Sequence, residues 1–181
     1  AVLSFSAIEN NDKIGIIFFS DKIEKFIPPQ KGKKHILRII RELIDFTPQS
    51  KGTNISEGVR YFTNVVKKRS TAFIISDFFD TGFSDALKIA SHKHDMIALQ
   101  IFDKREAGLP NIGLVKMKDA ESGKYLWVDT SNRRVRENYK KWWTEKQQEL
   151  RTTFMKSSVD FVSISTEEDY VRPLIRLFKR R

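Results

Sequence analysis

Short apolar runs alternate with amphipathic stretches along most of this chain. Residues 13–20, 72–75 and 95–102 are rich in Ile, Phe, Leu and Ala, too short for a typical helix and characteristic of strands buried on both faces. Residues 35–46 and 55–68 carry apolar side chains at helical spacing. The alternation predicts an α/β fold with right-handed crossovers and a doubly wound, mostly parallel sheet that has helices on both faces.

Prolines and polar turns indicate two additions to this sheet. Residues 23–27 alternate in polarity and are followed by two prolines, which predicts an edge strand that ends at the prolines. Residues 114–118 and 125–129 flank a polar stretch that contains glycine. This pattern predicts a surface β-hairpin inserted at about 113–129.

The remaining segments continue the same alternation. Helices are predicted over residues 84–92, 132–156 and 169–178, and a strand is predicted over residues 160–165. No repeat, low-complexity tract or linker divides the sequence, so we expect a single domain over residues 1–181. Residues 1–8 have a helical pattern with no initiating Met and no N-cap, so we expect an N-terminally truncated fragment.

Composition adds a positive charge and a redox constraint. The 33 basic and 23 acidic residues give a net charge of +10, which favours an acidic partner. The sequence shows no aromatic–basic stacking motif beside this charge, so nucleic acid is not the expected partner. Binding of nucleic acid or another polyanion through the basic surface is the alternative function. No apolar run is long enough to span a bilayer, and the lack of cysteine fits a reducing, cytoplasmic setting.

Two predicted loops carry side chains that suit a hard divalent cation. Thr53 and Asp77 each follow a predicted element at the carboxyl ends of the strands, where ligands bind in parallel sheets. A hydroxyl and a carboxylate are the oxygen ligands that Mg²⁺, Mn²⁺ and Ca²⁺ prefer. A purely structural alternative is that Thr53 caps the following helix and Asp77 caps the next turn.

Three segments resemble the von Willebrand factor A domain in order and spacing, namely residues 14–21, 51–55 and 74–77. Residues 5–21 look closer still to one bacterial branch of that superfamily, the domain-of-unknown-function family 58. Its members look like Phe-Ser-Ala-Ile-x-Asn-Asn-Asp-Lys followed by a strand that ends in Phe-Ser-Asp. The resemblance covers nearly the whole chain, and it implies a Rossmann-like fold and a protein-interaction module.

The resemblance also implies a metal-ion-dependent adhesion site. In that superfamily a divalent cation such as Mg²⁺ is held by an Asp-x-Ser-x-Ser loop after the first strand, by a Thr and by an Asp; Thr53 and Asp77 match the last two. The Asp-x-Ser-x-Ser motif does not occur in this sequence, so we expect a partial site that binds no cation by itself. The strand before that loop is central in such sheets. Without it we expect a distorted sheet, or a strand-exchanged or edge-paired oligomer.

The same resemblance implies a partner class. Members of this branch are usually encoded beside MoxR-type AAA+ ATPases. The implied function is that of an adaptor or co-chaperone for such an ATPase, with the metal accepting a carboxylate from the partner protein.

Enzymatic interpretations find less support in the sequence. Asp77 and Asp80 resemble the Asp-x-Asp-x-Thr nucleophile motif of haloacid-dehalogenase-like phosphatases, but the two carboxylates are three positions apart where that motif has two. The nucleophile-elbow, P-loop and dinucleotide-binding motifs are missing from the sequence as well. We therefore expect no enzymatic activity, with a phosphatase as a minor alternative.

Overall fold

The computed structural model describes residues 2–118 and 123–180. The chain divides into two compact units, Ala1–Val65 and Val66–Arg181. None of the helices in the described ranges combines the length and the apolar character that crossing a membrane requires. The inserted loop of the hairpin, residues 119–122, lies outside the described residues.

The first unit is a two-stranded antiparallel ladder packed against helices. Its elements are α1 (Val2–Glu9), β1 (Ile14–Phe19), β2 (Ile23–Gln30), α2 (Lys33–Asp45) and α3 (Ile55–Val65). Both α2 and α3 contact β1, and the ring nitrogen Nε2 of His35 donates to the carbonyl oxygen of Ile14 at 2.8 Å. Apolar residues from β2, α2 and α3 form the core of this unit: Ile27, Ile36, Ile39, Ile55 and Val59 are each at most 3% exposed.

The strand β1 differs from its prediction. Its sequence predicts a strand buried on both faces, but its apolar side chains are only half-buried, and Gly15 is exposed. The physical reason is its pairing: within the described residues β1 has β2 as its one ladder partner, and that partner is antiparallel. A hairpin of two strands leaves more of each strand open than the centre of a sheet does.

The strand β2 also differs, because it continues through Pro28 and Pro29 to Gln30. The register shifts between Ile14 and Ile16, so a bulge at Gly15 faces the two prolines, which have no N–H to donate. A side chain on Gly15 would come within 2.9 Å of the Pro29 nitrogen. The prolines therefore sit where the ladder is already irregular, and they do not end the strand.

The second unit contains the parallel sheet that the sequence predicts. Its elements are β3 (Thr71–Ser76), α4 (Ser84–Lys93), β4 (Asp95–Phe102), a 3₁₀ turn (Lys104–Ala107), β5 (Leu114–Lys118), β6 (Tyr125–Asp129), α5 (Arg133–Lys156), β7 (Asp160–Ser165) and α6 (Val171–Lys179). The strands β3, β4 and β7 form one parallel sheet in that spatial order. The strands β5 and β6 form the predicted hairpin with the predicted bounds.

Helices cover both faces of the parallel sheet. Phe73 in β3 and Phe161 in β7 lie on opposite faces, because their partners in β4 are consecutive residues. On one face the ring of Phe178 in α6 meets Phe73 at 6.2 Å between centroids. On the other face the ring of Phe154 in α5 stacks on Phe161 at 4.8 Å. The predicted fold class, a mixed α/β arrangement with helices on both sides of a parallel sheet, is confirmed.

The described residues form separate ladders of two, three and two strands. The strand β3 pairs with β4 but has no ladder partner on its other side within the described ranges. Its Ile75 side chain is 58% exposed, which is high for an apolar residue in a strand. The expectation of a distorted sheet, or of a strand-exchanged or edge-paired oligomer, stays a prediction.

Replacing Phe154 by Ala tests the core of the second unit. Phe154 is 1% exposed and its ring contacts Phe78, Phe83 and Phe161. Removing so large a buried ring leaves a cavity, and the free energy of unfolding is expected to fall by about 3–5 kcal/mol, measured by urea denaturation. Met155, the next residue and 73% exposed, is the matched control, whose change to Ala should cost under about 0.5 kcal/mol. Equal losses for the two variants would refute this description of the core.

Candidate functional site

The loop that carries Thr53 is fastened to the turn between β1 and β2. The carboxylate oxygen Oε1 of Glu24 accepts hydrogen bonds from the Ser20 hydroxyl at 2.8 Å and from the backbone N–H groups of Gln49 and Ser50 at 3.1 and 3.2 Å. These bonds, that of Ser20 first, lower the pKa of Glu24 because they favour its ionised form. One carboxylate thus joins the strand end to the loop.

Thr53 lies at the carboxyl end of β1, as the sequence predicts. It is half-buried, and the next residue, Asn54, donates its backbone N–H to the carbonyl oxygen of Ser20 at 2.8 Å. Asn54 also caps α3, since its Oδ1 accepts from the N–H of Glu57 at 2.9 Å. The helix cap is therefore Asn54, and the alternative that Thr53 provides it is wrong.

Asp21 is a carboxylate at this strand end that the sequence analysis did not single out. Its Cβ lies 3.4 Å from the position that a side chain on Gly52 would occupy. A hydrogen bond from Ser50 is the largest cause that lowers the pKa of Asp21, so the group stays ionised at neutral pH. The signal in the sequence was a Ser-Asp pair directly after a buried apolar run, the same signal that identified Asp77.

Asp77 is exposed and directly follows β3, also as predicted. Its backbone carbonyl accepts from the side-chain amide of Gln100 at 3.2 Å, and Gln100 is only 1% exposed. The carboxylate oxygen Oδ1 accepts from the Ser76 hydroxyl and from the Phe79 N–H, both at 3.3 Å. Asp77 therefore caps the following turn, and its second carboxylate oxygen is directed to no described hydrogen-bond donor.

The residue after Asp77 holds the loop in place. Phe78 has φ of +60°, a left-handed conformation that is costly for a bulky residue, and its side chain is fully buried. Its ring packs against Phe154 at 5.0 Å and against Phe83 at 6.0 Å between centroids. Burial of this ring offsets the backbone strain, and it places an exposed carboxylate next to a buried anchor.

Further acidic groups follow β4 at the same edge of the parallel sheet. Asp103 caps the 3₁₀ turn by accepting from the N–H of Arg105 at 2.8 Å. Burial raises the pKa of Glu106, and the negative charges of Asp77 and Asp103 raise it further. The Oε2 atom of Glu106 is buried and has no hydrogen-bond partner in the described part of the chain. The negative charges of Asp77 and Asp103 at this edge therefore act on Glu106.

The two predicted ligands fall in different units, Thr53 in the first and Asp77 in the second. The prediction that their oxygen atoms share one cation stays a prediction. Within residues 2–118 and 123–180, no group of three or more His, Cys, Asp or Glu side chains could hold a metal ion. Hydroxyl and carboxylate ligands from two loops, such as Thr53 and Asp77, are chemically suited to Mg²⁺ but are too few for its six oxygens.

The pH dependence of stability tests the electrostatics of this edge. Because the pKa of Glu106 is raised in the folded protein, the folded state holds this proton more tightly than the unfolded chain does. The contribution of Glu106 to stability is therefore greatest below its ordinary pKa of 4.5, and it is lost as the pH rises through the raised value. In urea denaturations at a series of pH values, the free energy of unfolding of the Glu106→Gln variant should lack this decline with rising pH. The exposed Glu9→Gln control should keep it, and a decline of equal size in the Glu106→Gln variant would contradict the assignment.

The chain is similar to uncharacterized mycobacterial proteins. It is 20% identical to the uncharacterized protein Rv1480 of Mycobacterium tuberculosis over 186 aligned residues, covering 100% of this chain and 58% of that protein. It is 23% identical to the uncharacterized protein MAV169 of Mycobacterium avium, covering 84% of this chain and 92% of that protein. The chain thus spans 58% of the length of the first of these relatives.

The fold is similar to a solved structure, that of the conserved hypothetical protein BatB from Bacteroides thetaiotaomicron. The TM-score is 0.56 over 98% of this chain and 84% of the BatB chain, at 15% sequence identity, a level at which the likeness concerns the fold alone. A family model described as "Protein of unknown function DUF58" matches residues 1–149. That match includes both loops that carry Thr53 and Asp77, and the chain belongs to the DUF58 family.

Proposed function

We propose that this chain is a non-enzymatic protein-interaction module in which Thr53 and Asp77 help to hold a divalent cation that accepts a carboxylate from a partner protein. The observation that carries the proposal is the Asp77 carboxylate, which is exposed at the carboxyl end of β3 while buried groups fix its backbone. A side chain with that geometry is positioned for a ligand and contributes little to the core.

The hydrogen bonds of Asp77 support a ligand role. The side-chain amide of Gln100 donates to the backbone carbonyl of Asp77, and the Phe79 N–H donates to one of its carboxylate oxygens. The carboxylate is therefore oriented before any ligand binds. Preorientation of this kind lowers the entropy cost of binding. A hard cation such as Mg²⁺ suits a carboxylate and a hydroxyl, and it keeps coordination positions for water or for a partner's oxygen.

The surrounding charge supports a cation for a second reason. Asp103 and Glu106 lie near Asp77. Burial is the largest cause that raises the pKa of Glu106; a backbone hydrogen bond at Asp103 lowers it, and the negative charges of the two aspartates raise it further. A divalent cation at Asp77 would offset the repulsion among these carboxylates. A partner's carboxylate would meet repulsion without the metal and attraction with it, so cation and partner are expected to bind cooperatively.

The partner class and the rest of the site come from the family resemblance. We assign the partner to the MoxR-type AAA+ ATPases, for which the protein would act as adaptor or co-chaperone in the cytoplasm. The other cation ligands would come from an Asp-x-Ser-x-Ser loop, a motif that these 181 residues do not contain. A test of cation binding therefore needs a protein that also carries this motif.

A pull-down with and without Mg²⁺ tests this function. The tagged intact protein should capture the MoxR-type ATPase of the same genome in Mg²⁺ and should release it in EDTA. The Asp77→Asn variant keeps an oxygen for the Phe79 N–H but loses the charge, and it should reduce capture by at least about tenfold. Asp85→Asn is the matched control, since the Asp85 side chain is 82% exposed and pairs only loosely with Lys88 at 3.4 Å.

Two results of the pull-down would contradict the proposal. Capture that survives EDTA and the Asp77→Asn change would show that the ATPase is bound elsewhere and would refute the metal-dependent mechanism. Failure to capture the ATPase under any condition would refute the partner assignment. Circular dichroism spectra of both variants should match the wild type, because each substitution lies at an exposed position.

A further inference from the structure

The hairpin of β5 and β6 carries two aromatic side chains and two lysines on one face. Lys116 pairs directly with Trp127, and Lys118 pairs directly with Tyr125. Directly opposed residues of an antiparallel ladder project from the same face of the sheet. These four residues, Lys116, Lys118, Tyr125 and Trp127, are here called the hairpin face; the pair of Leu114 and Asp129 projects from the same side at the base of the hairpin.

The rings of the hairpin face are open to solvent. Tyr125 is 58% exposed and Trp127 is 61% exposed. Aromatic side chains of this size are usually buried unless they contact a ligand or a partner. Two of them at alternate positions of one strand form a platform whose spacing is set by the strand.

The lysines lie over these rings. The Nζ atom of Lys116 is 4.4 Å from the ring centroid of Tyr125 and 5.8 Å from that of Trp127, and the Nζ atom of Lys118 is 5.7 Å from that of Tyr125. Exposed contacts between an ammonium and a ring are weak, and lysine side chains are flexible. Each ammonium can move to a nearby anion and leave the ring face free for stacking.

The root of the hairpin is fixed. Thr130 is 1% exposed and donates both its backbone N–H and its hydroxyl to the carbonyl oxygen of Gly113, at 2.8 and 2.7 Å. Arg136 of α5 donates to the carbonyl oxygens of Thr130 and Ser131 at 2.6 and 2.8 Å. The hairpin is therefore anchored to α5.

Positive charge continues from this root along α5. A groove of about 450 Å³ beside the start of the helix is lined by Arg133, Arg136 and Lys140, together with Glu137, Gly108 and Leu109. Arg133 pairs with Glu137 at 2.7 Å, which leaves Lys140 and part of Arg136 as the net charge of the groove. Basic groups thus lie both on the hairpin face and beside its root, on a chain of net charge +10.

We propose that the hairpin face binds single-stranded nucleic acid. Bases stack on the rings of Tyr125 and Trp127, while Lys116 and Lys118 turn to the phosphates that flank those bases. The basic groove along α5 receives the continuing backbone. Alternating aromatic platforms and cations are the combination by which proteins hold single strands without sequence preference.

The chemistry favours this occupant over other anionic partners. An acidic protein surface could pair with the lysines and cover the rings, but it does not present anions and flat faces in regular alternation. A nucleic-acid duplex presents phosphates, but its base faces are stacked internally and cannot reach the rings. Only an unpaired strand offers a phosphate and an open base face in each repeating unit.

Fluorescence anisotropy with a short fluorescein-labelled oligothymidine tests the proposal on the intact chain. Wild-type affinity should fall with added salt, and the Lys116→Ala, Lys118→Ala double variant should reduce the slope of log affinity against log salt by about 1.4, or about 0.7 for each phosphate that is no longer neutralised. Trp127→Ala should weaken binding by about tenfold at constant salt and should leave the slope unchanged. The same sequence as a duplex should bind more weakly than the single strand.

Leu126→Ala is the matched control. Leu126 is 67% exposed and adjacent to Trp127, but it pairs with Met117 on the opposite face of the hairpin. It should bind oligothymidine like the wild type. Equal weakening by Leu126→Ala and Trp127→Ala would overturn the proposal, as would wild-type protein that binds phosphatidylserine vesicles or the duplex but not oligothymidine. The salt slope of the lysine variant keeps the test decisive if Trp127→Ala is unstable in thermal unfolding.

Discussion

Gln100 lies in β4, the central strand of the parallel sheet, and its side chain is buried where an amide without partners would be costly. It avoids this cost by bonding in two directions. Its amide nitrogen donates to the carbonyl of Asp77, and its amide oxygen accepts from the hydroxyl of Ser163 in the neighbouring strand. One side chain on β4 therefore connects β7 to the loop after β3, and the position of the Asp77 carboxylate depends on that connection.

The rest of that edge follows from this constraint. With its backbone carbonyl held, the chain turns sharply, and Phe78 enters the core in a left-handed conformation while Asp77 stays outside. The 3₁₀ turn after β4 then brings Asp103 and Glu106 near the same carboxylate, and burial together with the charges of the two aspartates raises the pKa of Glu106. In the first unit a half-buried carboxylate, Glu24, plays a comparable part by fixing the loop of Thr53 to a strand end.

Much of the fold was predictable because its strands are short, continuous apolar runs. The strands β4 and β7 have the bounds that the sequence predicts, since a run such as Asp95–Phe102 fits a doubly covered strand and little else. The end of β2 was not predictable, because the effect of two prolines depends on a bulge at Gly15 in the partner strand. That register is a tertiary property, and no local pattern in the sequence contains it.

The candidate functional residues were also predictable only where a local sequence pattern marks them. Thr53 and Asp77 were predicted because each lies in a loop at the carboxyl end of a predicted strand. The residue that caps α3 is Asn54, and the local sequence does not distinguish it from the adjacent Thr53 as a cap. The hairpin face was missed altogether. Lys116 and Trp127 are distant in sequence and become neighbours only through the register of β5 and β6, so the sequence contains no linear aromatic–basic motif. Glu106 was missed because burial, not its sequence context, makes it unusual.

The proposed function depends on Thr53 and Asp77 being ligands of one divalent cation, which stays a prediction. Backbone amide NMR spectra of the intact protein, recorded during a titration with Mn²⁺, test it most directly, because this paramagnetic ion takes the same oxygen ligands as Mg²⁺ and broadens nearby signals. We expect the signals of Thr53 and Asp77 to disappear together at the lowest Mn²⁺ concentrations, and excess Mg²⁺ to restore both. Broadening at Asp77 that leaves Thr53 unchanged, even at saturating Mn²⁺, would contradict the shared site.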